Sequence, residues 1–190
     1  MRRVAVAAAA VVGIAVLAGC SDGEQANETL PSTSVTAAEP SETTPALPPM
    51  GPADFPMPVE AREMTEAGAE AFLDYYLAVE ARSTEGEPIR QLSRECSVCR
   101  RVAEQRDADA QAGNSSSGGD YTISIVESIV QGDQSNVIFT VNSTAVTIVD
   151  SNGTPIPDRG HGAIIDRSLD AFMVWDAPRS TWLMTEFAQR

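Results

Sequence analysis

The feature that most constrains this chain is a change of hydrophobic period part-way along it. In TEAGAEAFLDYYLAVEAR, Ala69, Phe72, Tyr76 and Val79 recur at steps of 3, 4 and 3, and Leu73 and Leu77 widen the stripe. That spacing predicts an amphipathic helix of about four turns. Thr65 is placed to cap it, with Glu66 at its positive end. STEGEP breaks the pattern, Pro88 suits the first turn of a short second helix carrying Ile89 and Leu92, and Cys96 to about Ala110 reads as a third. QAGNSSSGG reads as a loop. From Tyr121 the period becomes two: Tyr121, Ile123 and Ile125 alternate with Thr122, Ser124 and Val126. QGDQS then turns the chain into NVIFTVNSTAVTIVD, rich in β-branched residues, and Asn152-Gly153 marks a tight hairpin. After an irregular stretch from Pro155 to Gly162, AIIDRSLDAFMVWD and TWLMTEF form strands on either side of Ala177-Pro178-Arg179-Ser180. Helices first and antiparallel strands after give an α+β class, with the N-terminal helices packed on one sheet face.

The N-terminus decides where such a domain works. Met1-Arg2-Arg3 supplies a positive start and Val4 to Leu17 an apolar run too short to span a membrane, so residues 1–19 read as an export signal. Leu17-Ala18-Gly19-Cys20 resembles the lipobox of bacterial lipoproteins. The resemblance implies cleavage before Cys20 and diacylglycerol on its sulfur, which anchors the protein to the outer face of the cytoplasmic membrane. Residues 20–52 are rich in Ser, Thr, Pro and Glu with few large apolar side chains, so they read as a disordered tether. Residues 53–190 are left for one α+β domain.

Charge narrows the partners. The chain has 27 acidic residues against 13 basic ones, every base an arginine, for a net charge of −14 that deepens when Arg2 and Arg3 leave with the signal. Binding to nucleic acid needs a basic surface, so that partner is excluded. The membrane, through lipid on Cys20, is the expected partner; an envelope protein or a small-molecule ligand remains open.

FPMPVEAREMTEAGAEAF, the continuation LDYYL, the leucine before CSVC and the strand starting at Trp182 resemble a family of actinobacterial lipoproteins whose globular part is known only as a domain of unknown function. The resemblance covers roughly residues 53–190. The order of elements is also similar to the cone-shaped fold of nuclear transport factor two, in which a long first helix lies across a strongly curved sheet. Neither resemblance implies a reaction or a cofactor. What the first carries over is Cys20 as the lipid attachment and Cys96 with Cys99 as a pair.

Three readings of CSVC stand side by side. With Cys20 acylated, Cys96 and Cys99 are the remaining thiols, and outside the cytoplasm disulfides persist. In a first helical turn, positions i and i+3 lie within reach of such a bond. A thiol-disulfide exchange centre is the rival, because a helix N-terminus and the neighbouring Arg94, Arg100 and Arg101 would stabilise a thiolate. Zinc would need more ligands than this pair and His161 supply.

Other side chains carry weaker signals. His161 in DRGHG could serve as a base toward a cone pocket; Tyr75 is expected at the edge of the first helix or in a pocket mouth, and Tyr76 in the core. Alternation should put most of Asp166, Asp170, Asp176 and Glu186 on the outside. Asp150-Ser151-Asn152-Gly153 resembles the start of a calcium loop without its later glutamate, and a hairpin accounts for the same residues. Trp175 and Trp182 are spaced to pair across the last hairpin. No spacing singles out a nucleophile, an acid/base pair, a cofactor motif or a metal site. The reading therefore favours a lipid-anchored binding or interaction module of the envelope. A thiol-disulfide exchange protein, or a small-molecule enzyme using a cone pocket, are the alternatives.

Overall fold

Helix formation in the first third follows the predicted spacing closely. A computed structural model describes residues 48–190; the export signal, Cys20 and the greater part of the tether lie outside the described residues. After a 3-10 turn at Glu60–Arg62 come α1 (Glu66–Arg82), α2 (Glu87–Gln91) and α3 (Ser97–Ala112). The Thr65 hydroxyl accepts the Gly68 amide at 3.0 Å, satisfying one of the free donors at the start of α1. The α2 turn presses against α3 so closely that a Cβ on Gly86 would sit 2.2 Å from the Ala103 carbonyl oxygen. No described helix is long and apolar enough to cross a membrane.

Seven strands follow: β1 (Ser115–Gly118), β2 (Tyr121–Gln131), β3 (Gln134–Ser143), β4 (Val146–Val149), β5 (Pro155–His161), β6 (Ile164–Asp176) and β7 (Thr181–Gln189). They form two antiparallel sheets, ordered β2-β3-β6-β7 and β1-β4-β5. The class is α+β, as expected, but the single sheet divides. Two stretches read as irregular, Ser115–Gly118 and Pro155–His161, are strands, and they pair with β4 into the smaller sheet. Their polar, glycine- and proline-containing sequences carry little strand signal of their own; the ladder with β4 supplies the order.

Three bulges bend the large sheet. Register slips between Ile125 and Glu127 of β2, between Phe172 and Met173 where β6 faces β7, and between Val141 and Ser143 where β3 faces β6. Each extra residue increases local twist and re-aims the side chains beyond it. At the last of these, Val141 lies opposite Arg167 while Ser143 lies opposite Ile164, so β6 carries one surplus residue. Asp166 takes a left-handed φ of 47° there. Asn142 holds it in place, accepting the Asp166 amide at 2.8 Å and donating to its carboxylate at 3.1 Å.

The core lies between α1 and the concave face of the large sheet. Phe72, Leu73, Val79, Val137, Phe139, Met173, Trp182 and Met184 are among its buried residues. Trp175 and Trp182 are direct cross-strand partners with ring centroids 5.2 Å apart, edge to face, as their spacing predicted. The Trp182 indole also donates to the Glu63 carbonyl at 2.9 Å.

Arg62 carries no periodicity or motif that would single it out. It is 9% exposed, and its guanidinium donates to the backbone carbonyls of Pro48, Arg179 and Ser180 at 2.6, 2.7 and 3.3 Å. One side chain thus joins the start of the described chain to the β6–β7 turn.

Candidate functional site

A cavity of about 380 Å³ opens between α1, α3 and the concave sheet, with the small sheet at its mouth. Its size lies within the range of pockets that hold small molecules. The sheet register gives its depth. Phe187 stands at the inner end, Leu169 a step outward from it, Val141 and Arg167 form the next rung, and Ser143 with Ile164 the outermost. Arg167 and Ile164 are three residues apart and would point to opposite faces of a regular strand. The bulge at Asp166 turns both toward the cavity.

The helical wall comes from Tyr76, Leu77 and Glu80 on α1 and from Val98, Val102 and Arg106 on α3. Tyr76 is 1% exposed and packs against Phe187 at 5.8 Å, yet its hydroxyl makes no hydrogen bond among the described residues. Burial, reinforced by the charge of Glu80, raises its pKa. Glu80, one helical turn further on, is half-buried and extends the apolar stripe with a carboxyl group. Burial raises its pKa and the Arg106 charge partly offsets this. The Arg106 guanidinium is directed elsewhere, donating to the Glu80 backbone carbonyl at 3.1 Å and to the Ser116 hydroxyl at 3.5 Å.

At the rim, Tyr121 donates to the Asp74 carbonyl at 3.2 Å, and burial pushes its pKa up to about 12. The Ser143 hydroxyl is buried without a partner. His161 does reach the cavity, from the end of β5 and not from a loop. It is exposed, with Nδ1 2.8 Å from the Gly162 carbonyl oxygen, leaving Nε2 toward the opening.

Tyr76 lies in the core as expected and lines the cavity as well, whereas Tyr75 is found neither at an exposed edge nor in a pocket mouth. Tyr75 is 3% exposed on the far side of α1, stacked on Phe55 at 5.4 Å, and its hydroxyl donates to the Phe55 carbonyl at 3.0 Å. The segment before the first helix folds over that side of α1, which periodicity within the helix does not reveal. A Cβ on Gly51, whose φ is +86°, would meet the Tyr75 hydroxyl at 1.6 Å, so the close approach of this segment requires glycine. Tyr76 is the tyrosine that faces the cavity.

Cys96 and Cys99 form a disulfide, with Cα atoms 5.2 Å apart. Cys96 is also the N-cap of α3, its sulfur accepting the Cys99 amide at 3.1 Å. The two residues are 5% and 1% exposed, so neither sulfur is open to a partner thiol, and Cys99 forms part of the cavity wall.

Of the four carboxylates, most of them expected outside, two are buried. Asp176 accepts from Arg179 at 2.7 and 2.9 Å and from Arg94 at 2.8 Å, and Asp170 accepts from Arg190 at 2.8 Å. Each is 7% exposed, a burial made tolerable by its guanidinium partners. Asp166 and Glu186 are exposed. Asp150 accepts the Asn152 and Thr154 amides at 2.8 and 2.9 Å, which makes the calcium-like stretch a hairpin turn.

Sequence reasoning missed Glu80, Arg106 and Arg167. A signal existed for the first: Glu80 follows Tyr76 by four residues and Leu77 by three, a carboxyl on the apolar face. For Arg167 there was none, because its orientation depends on the bulge.

No family model matches the chain, and no curated protein matches it. Among solved structures, the fold is similar to the intermembrane space region of the chloroplast protein ARC6, with a TM-score of 0.51 and 16% identity over 67% of this chain and 97% of that one. A designed protein of the NTF2 type aligns with a TM-score of 0.41 and 10% identity over 65% of this chain and 96% of that one. At this identity the likeness to ARC6 is one of fold alone.

Proposed function

We propose that this chain is a lipid-anchored envelope module that binds a small, largely apolar molecule in the cavity between its helices and its curved sheet. The observation that carries the reading is the cavity itself. Apolar walls surround the buried, unpartnered Ser143 hydroxyl, with Tyr76 in the same lining, and a ligand entering the cavity would meet both. The anchor belongs to the same proposal and rests on the LAGC motif, with Cys20 as the acylated first residue. Membership of the actinobacterial lipoprotein family rests on FPMPVEAREMTEAGAEAF and CSVC, and the cone-like architecture of nuclear transport factor two on the order of elements and the bulged sheet. The burial of Cys96 and Cys99 weighs against thiol exchange, and among the described residues no carboxylate or hydroxyl is hydrogen-bonded to the His161 ring.

Two measurements test the parts separately. Intact-mass analysis of protein made with its own leader should find a chain beginning at acylated Cys20, and C20A should leave the membrane fraction; an unprocessed N-terminus overturns the anchor. Small molecules extracted from the purified protein should disappear in Val102→Trp, which fills the cavity from α3. Equal recovery from both proteins overturns the binding site.

A further inference from the structure

The lining of the cavity reverses the charge balance of the chain. A protein with 27 acids and 13 bases places Arg106, Arg167 and His161 around this opening against the single carboxyl of Glu80. Burial raises the pKa of that carboxyl, which reduces its negative charge further. Arg167 is exposed at the middle rung of the cavity and forms no ion pair among the described residues, whereas Arg90, Arg94, Arg100, Arg159, Arg179 and Arg190 all have carboxylate partners. It is a guanidinium held at the cavity by a bulge and left without an anion.

At the opposite end stands the Tyr76 hydroxyl, on a residue 1% exposed and without a hydrogen-bond partner among the described residues. A phenolic hydroxyl left free of protein partners in a cavity wall can donate to an acceptor oxygen of a bound molecule. Arg167 lies opposite Val141, and Tyr76 packs on Phe187, which is paired with Ala171. Four strand residues separate the two levels, about 13 Å at ~3.3 Å each. Leu169 lies between the two levels, and Val141 and Leu77 add apolar surface to the same lining.

Resting on the binding reading above, we infer that the cavity takes an elongated apolar monoanion with an oxygen at its far end: the anionic head on Arg167 and the distal oxygen accepting from Tyr76. The volume has room for about a dozen water-sized groups at ~30 Å³ each, which sets the size of the ligand. An acyclic ten-carbon acid bearing a terminal hydroxyl meets these requirements.

The test is an NMR titration of the chain from residue 21 onward, which contains the whole of the Thr44–Arg190 unit that holds the cavity. The probes are decan-1-ol, decylammonium, decanoate and 10-hydroxydecanoate below their aggregation concentrations. Decanoate is expected to bind about tenfold more tightly than decanol, as a charge-assisted hydrogen bond allows. The hydroxy acid should bind more tightly again and decylammonium most weakly. Arg167→Gln should abolish the advantage of decanoate over decanol, and Tyr76→Phe the advantage of the hydroxy acid over decanoate; unfolding midpoints of both variants confirm that they fold. Equal binding of decanol and decanoate, tightest binding of the amine, or no effect of R167Q overturns the anion assignment while leaving the cavity a binding site. Failure of every probe to bind, or binding unaffected by Val102→Trp, overturns the cavity reading as well.

Discussion

Replacing the Cys96–Cys99 bond while keeping what Cys96 does for the helix isolates its contribution. In a C96S/C99A variant, serine retains an N-cap acceptor in place of the sulfur that now receives the Cys99 amide at 3.1 Å. What is lost is the cross-link between residues three apart, and a loop that short restricts the unfolded chain by only ~2 kcal/mol. The buried sulfur of Cys99, on a residue 1% exposed, adds about 1 kcal/mol of lost packing. The sum is about 3 kcal/mol, or a drop of roughly 10 °C in unfolding midpoint for a domain of this size. Urea and thermal unfolding followed through the fluorescence of Trp175 and Trp182 measure it, with reduced wild-type protein as a second route to the same cross-link loss. A difference below ~0.5 kcal/mol would refute the reasoning, since the bond would then constrain nothing that folding does not. A loss above ~5 kcal/mol would refute it from the other side, because the bond would be holding α3 against the core and not merely shortening the unfolded chain's freedom.

Three further outcomes follow from the charged groups. Glu80 has its pKa raised by burial, so ionising it costs more in the folded chain, and stability should fall as pH rises from about 4.5; Glu80→Gln should flatten that slope and raise the midpoint at pH 7, read from melting curves across pH. Asp176 and Asp109 behave oppositely. Burial works to raise each, but hydrogen bonds and charge from Arg179 and Arg94 on Asp176, and from Asn114 and Arg159 on Asp109, hold both below the usual carboxylate range. Their stabilisation is present above pH ~4 and lost as pH falls through their folded values, so urea midpoints should decline in acid, less steeply in Asp176→Asn. Arg62→Met strands three carbonyl acceptors and should lower stability by about 3 kcal/mol, with limited proteolysis cutting first in residues 48–62.

Local signals carried the elements and failed at their relations. Thr65, the step from Ala69 to Val79 and the Trp175–Trp182 spacing each depend on neighbours within a few residues, and each leads to the structure found. The smaller sheet does not, because Ser115–Gly118 and Pro155–His161 become strands only when β4 lies between them. The cysteine pair could be read because the bond lies within one helical turn. The cavity could not: it needs Arg167 turned inward by a surplus residue and Tyr76 left facing the sheet by a segment that covers Tyr75. Glu80 lies between these cases, visible as a carboxyl on an apolar face but without a stated purpose until the opposite wall is in place.

The Arg62 clasp has a mechanical meaning. Pro48 is where the described domain meets the chain leading back toward Cys20, and its carbonyl is tied to the same guanidinium as those of Arg179 and Ser180. A pull arriving along that chain is therefore shared between the first turn and the final β-hairpin before it reaches α1. A force applied at residue 48 would load the 3-10 turn and the β6–β7 turn together, and neither belongs to the cavity wall.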